Sequence, residues 1–188
     1  IISVWKHFPG HGNTATDSHQ ALPVVELSRE DWARGDAVPF RRAVECGAPA
    51  VMAGHIRMTA FDPEYPASLS HVLVSEVLRE ELGFTGVVCT DDLTMGAISD
   101  TYGMGEAAVL AVEAGCDLLL VCHGADNLTQ ARQALLGAVD GGRISPARLE
   151  ESVYRILALK AEYGLTNQTV EAPDVAALNQ AVQALLGE

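Results

Sequence analysis

The segment Lys6-His7-Phe8-Pro9-Gly10-His11-Gly12-Asn13-Thr14-Ala15-Thr16-Asp17-Ser18-His19 places three imidazoles, one amine and one carboxylate within fourteen residues. Such a set can bind an anion, hold a metal or move protons. A phosphate loop of the Walker kind ends in Lys followed by Ser or Thr, and that spacing is missing. Zinc could draw on His7, His11 and His19, but no Cys or carboxylate completes a recognised metal spacing, so no metal is expected. Proton transfer fits better: in Asp17-Ser18-His19 a carboxylate close to an imidazole can orient the ring and raise its basicity. The competing reading has Asp17 capping backbone N–H groups in a turn, as Asp usually does in loops. A second carboxyl pair, Asp91-Asp92, follows the apolar run 86–90. A carboxylate at a strand tip can act as a nucleophile on a sugar, while either residue could instead cap the next helix. Asp91 comes first off the run and is the candidate for the rim; Asp92 is the better cap.

These residues need elements to hold them. Residues 1–5, 50–54, 86–90 and 117–122 are short and mostly apolar, as buried parallel strands are. Helical spacing covers 38–46, 70–82, 106–114, 128–139, 145–163 and 173–186, with Ser145-Pro146 a good helix start and Gly164 a stop. Four β–loop–α units in series imply a parallel sheet with right-handed crossovers. Each strand then delivers ionisable groups at its C-terminal end: Lys6-His7, His55, Asp91-Asp92 and His123. In parallel α/β folds that rim is where chemistry sits.

Composition narrows the function classes. The 188 residues carry a formal charge of -13, which repels phosphate backbones and argues against nucleic acid as a partner. No apolar run is long enough to span a bilayer, so no membrane partner is expected. Cys46, Cys89, Cys116 and Cys122 form no CxxC pair and read as small side chains in a reducing compartment, with the cytoplasm the expected location. The chain opens on Ile1-Ile2-Ser3-Val4 without an initiator Met, in what reads as a strand under way, so further chain is expected before it.

The run KHFPGHGNTATDSH closely resembles the signature of the glycoside hydrolase family 3 β-N-acetylglucosaminidases of the NagZ type, and VMAGHI and GFTGVVCTDDLTMGAI resemble that family in the same order. The resemblance covers residues 1–165. It implies an α/β fold, the C-terminal half of a (β/α)8 TIM barrel with four parallel strands and flanking helices. Residues 166–188 would form a linker and a C-terminal helix packing on the barrel. It further implies retaining hydrolysis of terminal β-linked N-acetylglucosamine, typically from peptidoglycan fragments in cell-wall recycling, with a small carbohydrate or muropeptide as substrate and no cofactor. Carried over, Asp91 corresponds to the nucleophile and His19 to the general acid/base, paired with Asp17. Lys6 and His7 correspond to residues holding sugar hydroxyls, and His55 should line the pocket.

Two departures stand out. The family often has Ala where this chain has Gly54, a change expected to loosen the rim. The family's first barrel half, which supplies an Asp and an Arg to the sugar, has no counterpart in the chain. Four strands are read where a closed barrel needs eight and typically about 250 residues, so the missing N-terminal half is expected to be required and the chain alone inactive. Other readings are a different family 3 activity such as β-glucosidase, an inactive sugar-binding fragment, and a metal-dependent hydrolase. The Asp17–His19 pair argues against the β-glucosidase, because in the family it marks the acetylglucosamine group.

Overall fold

The structure is a computed structural model that describes residues 1–14, 21–169 and 171–187. In chain order its elements are β1 (Val4–Phe8), β2 (Val24–Val25), α1 (Arg29–Arg34), α2 (Ala37–Glu45), β3 (Ala50–Ala53), β4 (Arg57–Met58), a 3-10 turn (Ala67–Leu69), a π-wound helix (Val72–Glu81), β5 (Val87–Asp92), α3 (Gly96–Ser99), α4 (Met104–Ala114), β6 (Leu118–Leu120), α5 (Ala125–Asp140), α6 (Pro146–Glu162) and α7 (Val175–Leu186). The sheet has four strands, all parallel, in the order β1-β3-β5-β6. Helices fill the crossovers, as the alternation of apolar runs and helical spacing requires. The sheet is open, with β1 and β6 each paired on one side only among the described residues.

Between β3 and β5 the register is regular, from Ala50 opposite Val87 to Ala53 opposite Thr90. The other two ladders slip once each. Trp5 to Phe8 takes three steps on β1 against two from Val51 to Ala53 on β3. Cys89 to Asp92 takes three steps on β5 against two from Leu118 to Leu120 on β6. Each slip adds one residue to a strand and breaks its alternation of faces. The first falls on Lys6-His7 and the second on Thr90-Asp91. The Thr90 hydroxyl oxygen accepts the Leu120 N–H at 3.1 Å, replacing a ladder bond that the bulge removes.

The slips also correct two strand boundaries. The first strand, expected at 1–5, runs Val4–Phe8, and the third, expected at 86–90, runs on to Asp92. Lys6, His7 and Asp91 therefore lie in the strands rather than just beyond them. Their polar side chains mask the strand pattern, but the backbone pairing continues to Phe8 and Asp92.

The core lies between the sheet and its helices. Trp32 of α1 packs edge-on against Phe8 and Phe61, and Phe8 also packs against Phe40 of α2. The helix expected at 70–82 buries Leu73, Val74, Val77 and Leu78 as one face, and its last N–H, on Leu82, reaches five residues back to Val77 O at 2.9 Å. α6 starts where Ser145-Pro146 predicts: the Ser145 hydroxyl accepts the Arg148 N–H at 3.2 Å. The Asp117 carboxylate, just ahead of β6, is buried at the opposite end of the sheet from Asp91 and gathers Arg79, Arg148, Arg155 and Ser152. Every described residue from Ala161 onward is exposed, and α7 carries no buried residue. The apolar stripe of that last helix faces solvent. Among the described residues no helix is long and apolar enough to cross a membrane.

Candidate active site

Two strands, β1 and β5, bring the rim together. β5 presents Asp91, whose Oδ1 accepts the following N–H, that of Asp92, at 2.9 Å. Its Oδ2 faces β1, 3.6 Å from His7 Nε2, and the two side chains are partly exposed at 18% and 26%. One carboxylate oxygen is thus anchored while the other looks toward the rim. The His7 ring also meets the His11 ring edge-on, with centroids 5.7 Å apart. Lys6 is exposed on the same strand, and a shallow cavity of about 360 Å³ is lined by Lys6, His7, His11, Gly10 and Asp36. Asp91 lies outside that cavity's lining. Lys6 and Asp91 both act on the Cys89 thiol, which burial pushes up to about 11.

Asp92 does not cap the next helix as expected, since α3 has Met95 at its N-cap and no side-chain cap bond; it holds a turn instead. Its Oδ1 accepts the N–H of Thr94 at 3.1 Å and of Cys122 at 2.9 Å, and its Oδ2 accepts the Thr94 hydroxyl at 2.5 Å. It therefore closes the turn after β5 and ties it to the end of β6. Burial pushes its carboxyl up, but the bonds from Cys122 and Thr94 outweigh burial and hold it below the ordinary carboxylate value. His123 reaches it only loosely, with Nε2 3.8 Å from Oδ2.

His55 is where the expectation fails. It should line the pocket, yet it is 0% exposed. Its Nδ1 meets Ser68 Oγ at 2.7 Å and its Nε2 meets the Asp92 carbonyl at 2.9 Å, so both ring nitrogens are occupied inside the protein. Burial holds the ring below the ordinary imidazole value, against the pull of the Asp92 carbonyl and of the Asp91 and Asp92 carboxylates. The motif placed His55 at a strand tip, but the chain after it folds back: Ser68 donates its N–H to Gly54 O at 3.1 Å and covers the ring. Gly54 does not loosen the rim. A Cβ there would sit 3.0 Å from His7 Cβ, so the missing side chain lets β1 and β3 approach closely.

The long loop after β1 is fixed at both ends. Trp32 Nε1 donates to Pro9 O at 2.8 Å from a site 1% exposed. Gly10, at φ +136°, lies against Asp36, where a Cβ would come within 2.6 Å. The Asn13 amide donates to both Asp36 carboxylate oxygens at 3.1 and 3.2 Å. On the return side, β2 pairs with β4 in a short parallel ladder that the sequence did not suggest. Asp17 and His19 lie outside the described residues. Trp32, Ser68 and Thr94 also escaped the sequence reading. Only Thr94, two residues beyond Asp92, carried a local signal, since Asp-x-Thr is a common turn pattern. Among the described residues no group of three or more His, Cys, Asp or Glu is arranged to hold a metal ion.

Residues 1–159 match the model of the glycosyl hydrolase family 3 N terminal domain. A β-hexosaminidase from Nitrosomonas eutropha is 32% identical over 97% of this chain and 53% of its own length. A β-N-acetylglucosaminidase/β-glucosidase from Cellulomonas fimi is 34% identical over 87% of this chain and 30% of its own. Among solved structures, a glycoside hydrolase family 3 β-N-acetylglucosaminidase from Paenibacillus sp. superposes with a TM-score of 0.89 at 47% identity, covering 93% of this chain and 34% of that one. The chain thus spans between about a third and a half of these relatives. The four-stranded parallel sheet is accordingly part of a TIM-barrel-like α/β domain, and the chain belongs to glycosyl hydrolase family 3.

Proposed function

We propose that the chain supplies the nucleophile and the acid/base loop of a retaining β-N-acetylglucosaminidase, with Asp91 as nucleophile. The observation that carries this reading is the contrast between the two adjacent carboxylates. Asp92 is consumed by backbone and hydroxyl donors, while Asp91 keeps Oδ2 turned toward the rim beside His7. Attack of Oδ2 on the anomeric carbon gives a glycosyl ester, and the departing oxygen takes a proton from His19, oriented by Asp17. The same imidazole then removes a proton from the water that opens the ester. Lys6 and His7 stand where they can hold sugar hydroxyls.

The sugar would be a terminal β-linked N-acetylglucosamine on a peptidoglycan fragment, in a cytoplasmic recycling setting. The relatives named for this hydrolysis support the sugar, and the free cysteines suit a reducing compartment. The remaining barrel strands are required. The open sheet supports this, as does an apolar groove of about 480 Å³ between β6, α5 and α6, where Leu118, Leu128, Leu136 and Val153 are exposed. A β-glucosidase is the second reading, favoured by the double name of the Cellulomonas fimi relative.

The test is hydrolysis of nitrophenyl N-acetyl-β-glucosaminide and nitrophenyl β-glucoside by an active protein containing this chain, and by residues 1–188 alone. Preference for the acetylated sugar, release of the β-anomer first, and no turnover by residues 1–188 alone are expected. Preference for glucoside, or inversion, would overturn the activity. A soluble, monomeric and fully active 188-residue chain would overturn the requirement for further strands.

A further inference from the structure

We infer that His55 is a positioning residue for Asp91, and that its Nε2-protonated ring fixes the backbone following the nucleophile. The inference rests on the reading of Asp91 as nucleophile. His55 cannot touch a sugar, being 0% exposed, so any part it plays passes through its two partners. One partner is the Asp92 carbonyl, which accepts both the His55 Nε2–H at 2.9 Å and the Met95 N–H at 3.0 Å. A carbonyl oxygen has two lone pairs, and both are used. The Asp92 side chain is held as well, by Thr94 and Cys122. With its carbonyl and side chain both fixed, the Asp92 nitrogen is fixed in place, and strand pairing with Leu120 limits the direction of its N–H. That N–H is the donor to Asp91 Oδ1 at 2.9 Å. The chain of contacts therefore runs from the buried ring to the carboxylate plane of Asp91.

The tautomer follows from the partners. A carbonyl cannot donate, so Nε2 carries the proton. In a neutral ring Nδ1 is then an acceptor, and Ser68 Oγ–H donates to it at 2.7 Å. Ser68 is 0% exposed and cannot turn away: its N–H is bonded to Gly54 O at 3.1 Å, and Cys116 Sγ donates to its carbonyl at 3.5 Å. The opposite tautomer would set a bare Nε2 against the carbonyl oxygen. A charged ring would have to be held away from water, and burial already disfavours it although Asp91 and Asp92 lie close enough to pull the other way and the His7 ring adds to the cost. This cost is larger for an isolated charge than for a neutral bonded ring.

The test compares His55→Gln, His55→Asn and His55→Ala in an active protein containing this chain, with nitrophenyl N-acetyl-β-glucosaminide as substrate. The Gln amide can place an N–H near the position of Nε2, whereas the Asn amide reaches only that of Nδ1. Ala and Asn should lower kcat about 10- to 100-fold, the loss typical of a misplaced reacting group, with KM changed less than about threefold. Gln should recover most of the rate. A raised KM at unchanged kcat, or equal losses for Gln and Ala, would overturn the assignment. Should the variants fail to fold, 15N NMR of the unsubstituted protein decides. The His55 ring should show a protonated Nε2 and a bare Nδ1 at neutral pH, unmoved by added N-acetylglucosamine. A charged ring, the other tautomer or a sugar-dependent shift would refute the inference. Lack of wild-type hydrolysis would count against the proposed activity alone, since the NMR result stands without it.

Discussion

Replacing Asp92 by Ala should destabilise the protein severely, while Asp91→Ala should leave it folded. Asp92→Ala strands two backbone donors, the N–H groups of Thr94 and Cys122, and the Thr94 hydroxyl. Bonds to a charged acceptor are worth about 1.5–3 kcal/mol each. The Asp92 side chain is 12% exposed, so water can recover part of this, and the lower end applies: about 3–4 kcal/mol for the two backbone donors. Asp92→Asn keeps an oxygen for both N–H groups and should cost only about 1–2 kcal/mol. Among the described residues Asp91 accepts one hydrogen bond, from the Asp92 N–H, and its loss should cost about 1 kcal/mol. The pH dependence has a sign. The folded Asp92 carboxyl sits below its ordinary value, so its contribution is complete above the unfolded pKa of about 3.9 and is lost as pH falls through the lower folded value. Asp92→Asn should lack that part of the acid loss. Urea unfolding followed by tryptophan fluorescence, with Trp32 buried, measures all three variants. A cost below about 1 kcal/mol for Asp92→Ala, or equal costs for Asp91→Ala and Asp92→Ala, would refute the division of labour.

Gly54→Ala should push His7 by a few tenths of an ångström and change KM about two- to threefold; an unchanged KM would show that His7 moves without consequence. Trp32→Phe removes the donor to the Pro9 carbonyl and should cost about 1–3 kcal/mol in urea unfolding; a loss under about 0.5 kcal/mol would mean that water replaces the indole. Asp17 and His19 should behave as one unit, with the double alanine variant little slower than the worse single one; additive losses would argue that His19 only binds sugar.

Much of this architecture is legible in the sequence because burial writes a strong pattern. The run at 50–54 is apolar and mostly buried, the run at 118–122 is apolar though only half-buried, and Ser145-Pro146 and Gly164 bracket α6 because caps are local chemistry. That the two adjacent carboxylates divide is legible too, but not how: Asp91 lies within β5 rather than off it, and Asp92 closes a turn rather than capping a helix. What escapes the sequence is set by contacts between distant segments. The two register slips that aim Lys6-His7 and Thr90-Asp91 depend on cross-strand pairing, not on residue type. The fate of His55 depends on Ser68, thirteen residues on, folding over it. A His at a strand tip looks the same in sequence whether it meets a sugar or a buried hydroxyl. Gly54 reads as a slack point until the His7 Cβ is found beside it.

The nucleophile itself can be trapped. An active protein containing this chain, treated with an activated fluoro-sugar that forms the glycosyl ester quickly and loses it slowly, should gain one sugar mass. Fragmentation of the peptide spanning β5 should place that mass on Asp91, with none on Asp92, and Asp91→Ala should abolish the label. A label on Asp92, a label on a residue elsewhere, or turnover with no carboxylate labelled would contradict Asp91 as the group that attacks the sugar.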